Sequence, residues 1–197
     1  MWIYGAGGFG RETHDACLAA GVVVDGFLDD TPPDKQLRGL PVVRPGDVEP
    51  APFVVAIADP QTRARLYREL VGFGWQPVTV EDPRAVIGTG ATIGAGSILL
   101  ATAFVSCDVV LAEATHLNYG VTIGHDVRAE FCTTVLPGAN VGGSVELGQE
   151  VLVGSGAQVL QGVRIGRHAV IGAGAVVTSE VASGTTVVGV PAAPVER

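Results

Sequence analysis

Positive charge is scarce in this chain. Twelve Lys and Arg stand against 20 Asp and Glu in 197 residues, a net charge of −8, and the basic residues form no cluster. That argues against nucleic acid or an anionic membrane surface as a partner. Cysteine is nearly absent as well. Cys17, Cys107 and Cys132 are odd in number and follow no metal-ligand spacing. They read as small buried apolar side chains in a reducing compartment. No apolar run approaches the ~18 residues of a membrane span. The start, Met1-Trp2-Ile3-Tyr4-Gly5, has neither the basic segment nor the apolar core of a secretion signal. The expectation is a soluble, cytoplasmic protein.

Glycine is plentiful, with 28 residues, about twice ordinary usage, and the apolar fraction of 47% is ample for a core. Many tight turns are therefore expected. In steps of six from Ile87 to Val177 the chain passes sixteen positions, of which fifteen are Ile, Leu or Val and the other is Ala129. The next residue is often glycine, as at Gly88, Gly94, Gly124, Gly142 and Gly154. The residue four on is small or β-branched, as at Ala91, Ser97, Ala103, Thr115 and Ala139. Each hexapeptide is one short strand and one turn, its aliphatic residue pointing inward and its glycine easing the corner. Three such units close a triangular coil of eighteen residues, so a little over five coils stack into a parallel β-helix. An antiparallel sandwich would instead alternate at period two.

Residues 1–82 follow another pattern. An apolar strand, Trp2-Ile3-Tyr4, leads into Gly5-Ala6-Gly7-Gly8-Phe9-Gly10 and a helix from about Arg11 to Ala20. A second strand ends at Asp29-Asp30, a Pro32-Pro33 loop follows, and Phe53–Ala58 reads as another strand. Pro60 and Gly72 bracket a second helix. This alternation implies a small parallel α/β sheet, with Asp82-Pro83 as the hinge into a β-helix domain over 83–197. A glycine loop between strand and helix can cradle a pyrophosphate on backbone N–H groups, or it can serve only as a tight turn. The acidic pair about twenty residues on favours a ligand. A half of about 80 residues is too short for a dinucleotide fold, so a single nucleotide is expected. Arg11 is either a phosphate contact or a solvated side chain.

Of the four histidines, His14 reads as a packing residue and His168 as a solvated corner. His125 is two residues past inward Ile123, at a coil corner, with Asp126 beside it to orient the imidazole and raise its basicity. The segment Thr115–Asp126 also contains His116 and Asn118.

The glycine loop with Asp29-Asp30, the hexapeptide helix bearing Asn118 and His125-Asp126, and the closing Val188–Ala192 segment together resemble one family. It is the bacterial sugar acyltransferases that include sialic acid O-acetyltransferases and UDP-4-amino-sugar N-acetyltransferases. The resemblance spans the chain and implies a left-handed helix, a homotrimer, acetyl-CoA lying between adjacent helices, and a sugar nucleotide on the α/β domain. It makes His125 the general base, Asp126 its helper, and Asn118 a contact to the acceptor. Gly7, Gly8, Phe9, Asp29, Asp30, Ala56, Ile57 and Ala58 would line the nucleotide site. Gly143, Ser155 and Ala173 would contact acetyl-CoA. Two positions depart from the family pattern: Phe9 replaces a loop histidine, and Thr134 replaces a second, cofactor-contacting histidine. His116 precedes Thr134 by eighteen residues, one coil, and either substitutes for that histidine at the cofactor or only packs.

The implied chemistry is direct acetyl transfer to an amine or hydroxyl, most simply N-acetylation of a nucleotide-linked amino sugar, with no metal and no covalent intermediate. O-acetylation of a sugar such as a sialic acid is the alternative. Two rivals share the helix. A γ-type carbonic anhydrase would need three histidines, two of them about five residues apart, whereas His116 and His125 are nine apart. A binding protein with a dead site would not need His125, Asp126 and Asn118.

Overall fold

The computed structural model describes residues 1–31 and 35–195; the Pro32-Pro33 loop lies outside them. In the N-terminal part, β1 (Trp2–Tyr4), β2 (Gly26–Leu28), β3 (Gln36–Leu37), β4 (Leu40–Val43), β5 (Pro52–Val55) and β6 (Gln76–Pro77) form one sheet in the order β3-β4-β2-β1-β5-β6. All pairings are parallel except β3 with β4. Helix α1 (Gly8–Ala19) joins β1 to β2, and α2 (Pro60–Gly72) joins β5 to β6. Ile3 faces a core with Ala16 and Cys17 of α1, and Tyr4 faces one with Leu66 and Leu70 of α2. The helices therefore cover opposite faces. α1 begins three residues earlier than its sequence pattern suggests, inside the glycine loop. α2 starts where expected, with Asp59 accepting the Thr62 N–H at 2.8 Å and Pro60 in the first turn.

From residue 86 the chain forms sixteen two-residue strands at intervals of six, from Val86–Ile87 to Val176–Val177. They stack with a register of eighteen into three parallel ladders, as in His116↔Thr134, Thr122↔Asn140 and Arg128↔Glu146. The first face carries His116 and Thr134, the second Thr122 and Asn140, and the third Arg128 and Glu146. The inward aliphatics from Leu99 to Val177 form one continuous core with the small residues four positions on.

The glycines after the aliphatics have a different task from the one expected. A Cβ at Gly94 would lie 2.4 Å from the Glu113 nitrogen, and one at Gly154 would lie 2.6 Å from the Ala173 nitrogen. They admit the close approach of the next coil. The turn itself falls two residues later, where every sixth residue from Gly90 to Gly174 has positive φ, including Asp108, Asp126, Ser144 and His168.

The junction also differs. β7 (Val80–Glu81) already pairs with Ile98–Leu99 on the first face. Asp82 is buried and accepts from the Arg84 backbone and guanidinium at 2.7–2.9 Å. Asp82-Pro83 is therefore a fixed point within the first coil, and no hinge. Among the cysteines, Cys17 and Cys132 are buried, with thiol pKa values pushed up to about 11 chiefly by burial. Cys107 is exposed, contrary to expectation, because it occupies the outward corner position one coil before His125.

These two glycine roles separate by mutation. Gly94→Ala should lower stability by about 1–3 kcal/mol in chemical denaturation, the cost of overpacking a fixed backbone. Ser144→Gly, at φ 56, should be neutral or stabilising by up to about 1 kcal/mol.

Candidate active site

Order reverses in the α/β sheet between β1 and β5, the place where such sheets open a ligand crevice at their strand ends. The glycine loop and the segment Ala56–Ala58 form its two sides. Gly5 (φ 112) and Gly10 are there for packing. A Cβ on Gly5 would meet the Ala56 carbonyl oxygen at 2.8 Å, and one on Gly10 would meet the Gly5 oxygen at 1.9 Å. Gly7 and Gly8 are exposed; a Cβ on Gly7 would meet nothing within 4 Å, and one on Gly8 would meet only the Arg11 guanidinium at 3.8 Å. Their backbone at the start of α1 is open to an anion. Asp29 takes the Ala6 and Thr31 amides at 3.3 and 2.9 Å and so holds the loop, whereas Asp30 is exposed.

At the corner between the second and third faces, His125 Nδ1 is 2.8 Å from Asp126 Oδ2. Asp126 occupies the left-handed turn position (φ 59), which Asp tolerates better than most residues, and from there its carboxylate turns back to the preceding side chain. Nδ1–H donates to the carboxylate and leaves Nε2 as the acceptor. The ring is packed so closely over Gly143, one coil on, that a Cβ there would lie 2.6 Å from Nε2. Beside it a groove of about 360 Å³ runs along the second face past Phe104, Thr122, Asn140 and Leu160.

The other sequence candidates occupy three different places. Ser155 and Ala173 are exposed and stack one coil apart at the corner between the first and second faces. Asn118 lies at that same corner, buried, with Oδ1 accepting the Tyr119 amide at 3.0 Å. His116 and Thr134 are both 1% exposed, inside the joint between the two halves of the chain. That burial favours packing for His116, one of its two expected roles, and leaves Thr134 little open surface for the expected cofactor contact. His116 packs against Phe9 with ring centroids 5.1 Å apart, and neither of its nitrogens has a hydrogen-bond partner. Burial, reinforced by Arg63 nearby, holds its pKa well below the usual imidazole value, opposed only by the neighbouring Val55 backbone. His14 is buried against Phe27 as expected, and its pKa is lowered by burial and by Arg38. His168 is 3.3 Å from Glu150, which also takes Arg68 of α2 at 3.2 Å.

The residue missed in the sequence is Arg63. It lies fully buried in α2, and the five N–H groups of its guanidinium, one of them shared, reach six oxygens: those of Ala114, Ile57, Ala58, Cys132 and Thr133 and Thr134 Oγ1, at 2.7–3.2 Å. Thr134 Oγ1 in turn donates to the Ala58 oxygen at 2.8 Å. Burial lowers the Arg63 pKa to about 10, so it stays charged near neutrality. Its one sequence signal was its spacing, in line with Leu66 and Leu70 on the inward stripe of the helix. Among the described residues no three His, Cys, Asp or Glu side chains converge as a metal cage requires.

A β-helix with an exposed His–Asp corner and a glycine-loop α/β domain define a hexapeptide-repeat acyltransferase. Residues 1–70 match the family model described as PglD N-terminal domain, and residues 144–179 that of the bacterial transferase hexapeptide. GDP-perosamine N-acetyltransferase of Escherichia coli O157:H7 is 32% identical over 165 residues, 77% of this chain and 74% of that one. A crystal structure of a histidine variant of perosamine N-acetyltransferase from Caulobacter crescentus, in complex with CoA and GDP-perosamine, superimposes with TM-score 0.95. It is 28% identical, over 100% of this chain and 96% of that one. The acetyltransferase domain of PglB from Neisseria gonorrhoeae FA1090, with acetyl coenzyme A, gives TM-score 0.93 at 29% identity over 98% of each. The chain belongs to the bacterial hexapeptide-repeat sugar acyltransferases.

Two measurements test the joint. Thr134→Val removes a hydroxyl bonded on both sides and should cost about 1–3 kcal/mol in urea denaturation, with Thr134→Ser restoring most of it. His116 binds a proton more readily unfolded than folded. Stability should therefore fall as pH drops below about 6.5, by up to about 1.4 kcal/mol per pH unit, and His116→Leu should flatten that slope.

Proposed function

We propose that this enzyme transfers the acetyl group of acetyl-CoA directly to the amine of a nucleotide-linked amino sugar, with His125 as general base. The observation that carries the roles is the His125–Asp126 pair: an exposed imidazole whose Nδ1 is engaged by a carboxylate at 2.8 Å and whose Nε2 is left to accept a proton. As the amine attacks the thioester carbonyl, Nε2 takes its proton and Asp126 stabilises the imidazolium; the C–S bond then breaks as Nε2 returns that proton to sulfur, and CoA leaves as the thiol. Burial of the reacting groups is not required; alignment of two large substrates supplies much of the rate. The two relatives named for their chemistry are N-acetyltransferases, which favours an amine over a sugar hydroxyl.

The acceptor occupies the crevice between the glycine loop and Ala56–Ala58, and acetyl-CoA runs past Gly143 and the Ser155–Ala173 corner. These groups do not meet within one chain. The α/β part is fastened to the first face through Phe9 on His116 and to the third-to-first corner through Arg63. In a triangular coil, His125 stands at the corner opposite the first face. A complete site therefore needs a second copy, and a cyclic trimer supplies three equivalent sites with Asn118 of one chain brought toward His125 of the next. Dependence on acetyl-CoA as donor places the proposed reaction in the cytoplasm; no helix among the described residues is long and apolar enough to cross a membrane.

His125→Ala should lower kcat by roughly 10²–10⁴ with CoA affinity little changed, and Asp126→Asn should cost about tenfold. A fully active His125→Ala enzyme would refute the assignment. Light scattering should give three times 20.1 kDa; a monomer would remove the shared site.

A further inference from the structure

Arg63 is a buried cation that the reaction as described does not use, and all its partners are neutral oxygens. Two of those oxygens belong to consecutive peptides of one short segment. Nη1 lies 2.7 Å from the Ile57 oxygen and 3.2 Å from the Ala58 oxygen, and Thr134 Oγ1 also holds the Ala58 oxygen at 2.8 Å. The segment is neither strand nor helix, because β5 stops at Val55 and α2 starts at Pro60. No ladder dictates how its peptide planes turn; the guanidinium does. Both peptides are trans, and in a trans peptide the N–H points opposite to the C=O. With the Ile57 and Ala58 carbonyls turned in to Arg63, the N–H groups of Ala58 and Asp59 are turned out. Among the described residues no acceptor takes either one, and the Asp59 carboxylate is turned to the Thr62 amide instead. Ala58 is half-buried and Asp59 is exposed. The segment also lies against the glycine loop, since a Cβ on Gly5 would come within 2.8 Å of the Ala56 oxygen and 3.0 Å of Ile57 Cδ1.

We propose that Arg63 is a positioning residue for the acceptor, a role that rests on the nucleotide-sugar reading given above. By fixing two peptide planes it aims the Ala58 and Asp59 N–H groups at an oxygen of the bound nucleotide sugar. Arg63 touches no substrate itself and acts through the segment it holds. Its charge adds to the effect, because a carbonyl bound to a cation makes the N–H of the same peptide a stronger donor. The open Gly7–Gly8 backbone supplies donors of the same kind from the glycine loop, so the ligand is met by main-chain N–H groups from two sides. The oxygen belongs either to the diphosphate or to the sugar, both of which present lone pairs to such donors. Lysine at this position keeps the charge but loses the flat fork of five donors, so it cannot hold both peptides and the coil corner at once.

Calorimetric titration of the wild-type and Arg63→Lys proteins tests the role, with GDP, UDP, an amino sugar linked to each, and acetyl-CoA as probes. Arg63→Lys should bind the sugar nucleotide that the wild type prefers about tenfold more weakly, the worth of one well-placed hydrogen bond. Its affinity for acetyl-CoA should be unchanged. Equal weakening of the free diphosphate assigns the two N–H groups to the diphosphate, and weakening of the sugar-linked form alone assigns them to the sugar. Thr134→Val removes one of the two partners of the Ala58 oxygen and should shift affinity the same way by a smaller factor. Thr134→Ser should return it to the wild-type value, and this pair carries the test where Arg63→Lys does not fold. A lower melting temperature with wild-type affinity for every nucleotide probe makes Arg63 a structural residue only and overturns the proposal. Equal loss of acetyl-CoA binding overturns it too. The acceptor reading fails differently: a wild-type protein that binds none of the nucleotide probes sinks that reading, and the positioning role with it.

Discussion

One guanidinium ties the two halves of this protein together. Arg63 reaches from α2 into the third-to-first corner of the β-helix, where three backbone oxygens of successive coils, Ala114, Cys132 and Thr133, accept from it together with Thr134 Oγ1. Its other arm holds the oxygens of Ile57 and Ala58, beside the glycine loop. A buried charge with no carboxylate beside it is costly unless every donor is used, and here the fork geometry of arginine matches a set of carbonyls that only the assembled corner presents. Lysine would offer the charge without the fan of donors. The crevice wall is thus positioned by the coil stack itself, and any shift of one half against the other breaks several hydrogen bonds at once.

The stack makes such a reference point possible because it is rigid for simple reasons. Aliphatic residues at every sixth position lie on one another at a register of eighteen, and the glycines beside them bring neighbouring coils within a distance that a methyl group would prevent. The same periodicity sets the chemistry. The outward position two past each aliphatic gives a column of corner residues, so that Cys107, His125 and Gly143 follow one another up one edge. The left-handed position next to it admits Asp126, whose carboxylate turns back to lie 2.8 Å from the imidazole Nδ1.

His116 lies between Phe9 and Thr134, its ring on Phe9 and its register partner Thr134. The three side chains belong to the packed joint between the two halves of the chain. The cost is a histidine whose nitrogens have no partner and whose charged form is excluded by burial and by Arg63. No sign of this packing is visible in His116 taken alone, since a histidine near a coil corner reads equally as ligand or packing.

The sequence by itself determined the β-helix, its coil length, the inward residues, the α/β half with its glycine loop, and the corner that carries His125 and Asp126. All of these follow from local periodicity or from residues adjacent in the chain, and periodicity survives translation into space unchanged. Only the tertiary structure decided the rest: that Thr134 and His116 are withdrawn into the joint, that Asp29 and Asp30 part company, that the strand ladder begins ahead of Asp82, and that Arg63 rather than a surface residue holds the crevice. Each of these depends on groups between about 20 and 110 residues apart along the chain, brought together only when the chain folds. Spacing in a sequence records which face a residue takes on its own element, but not what that face meets.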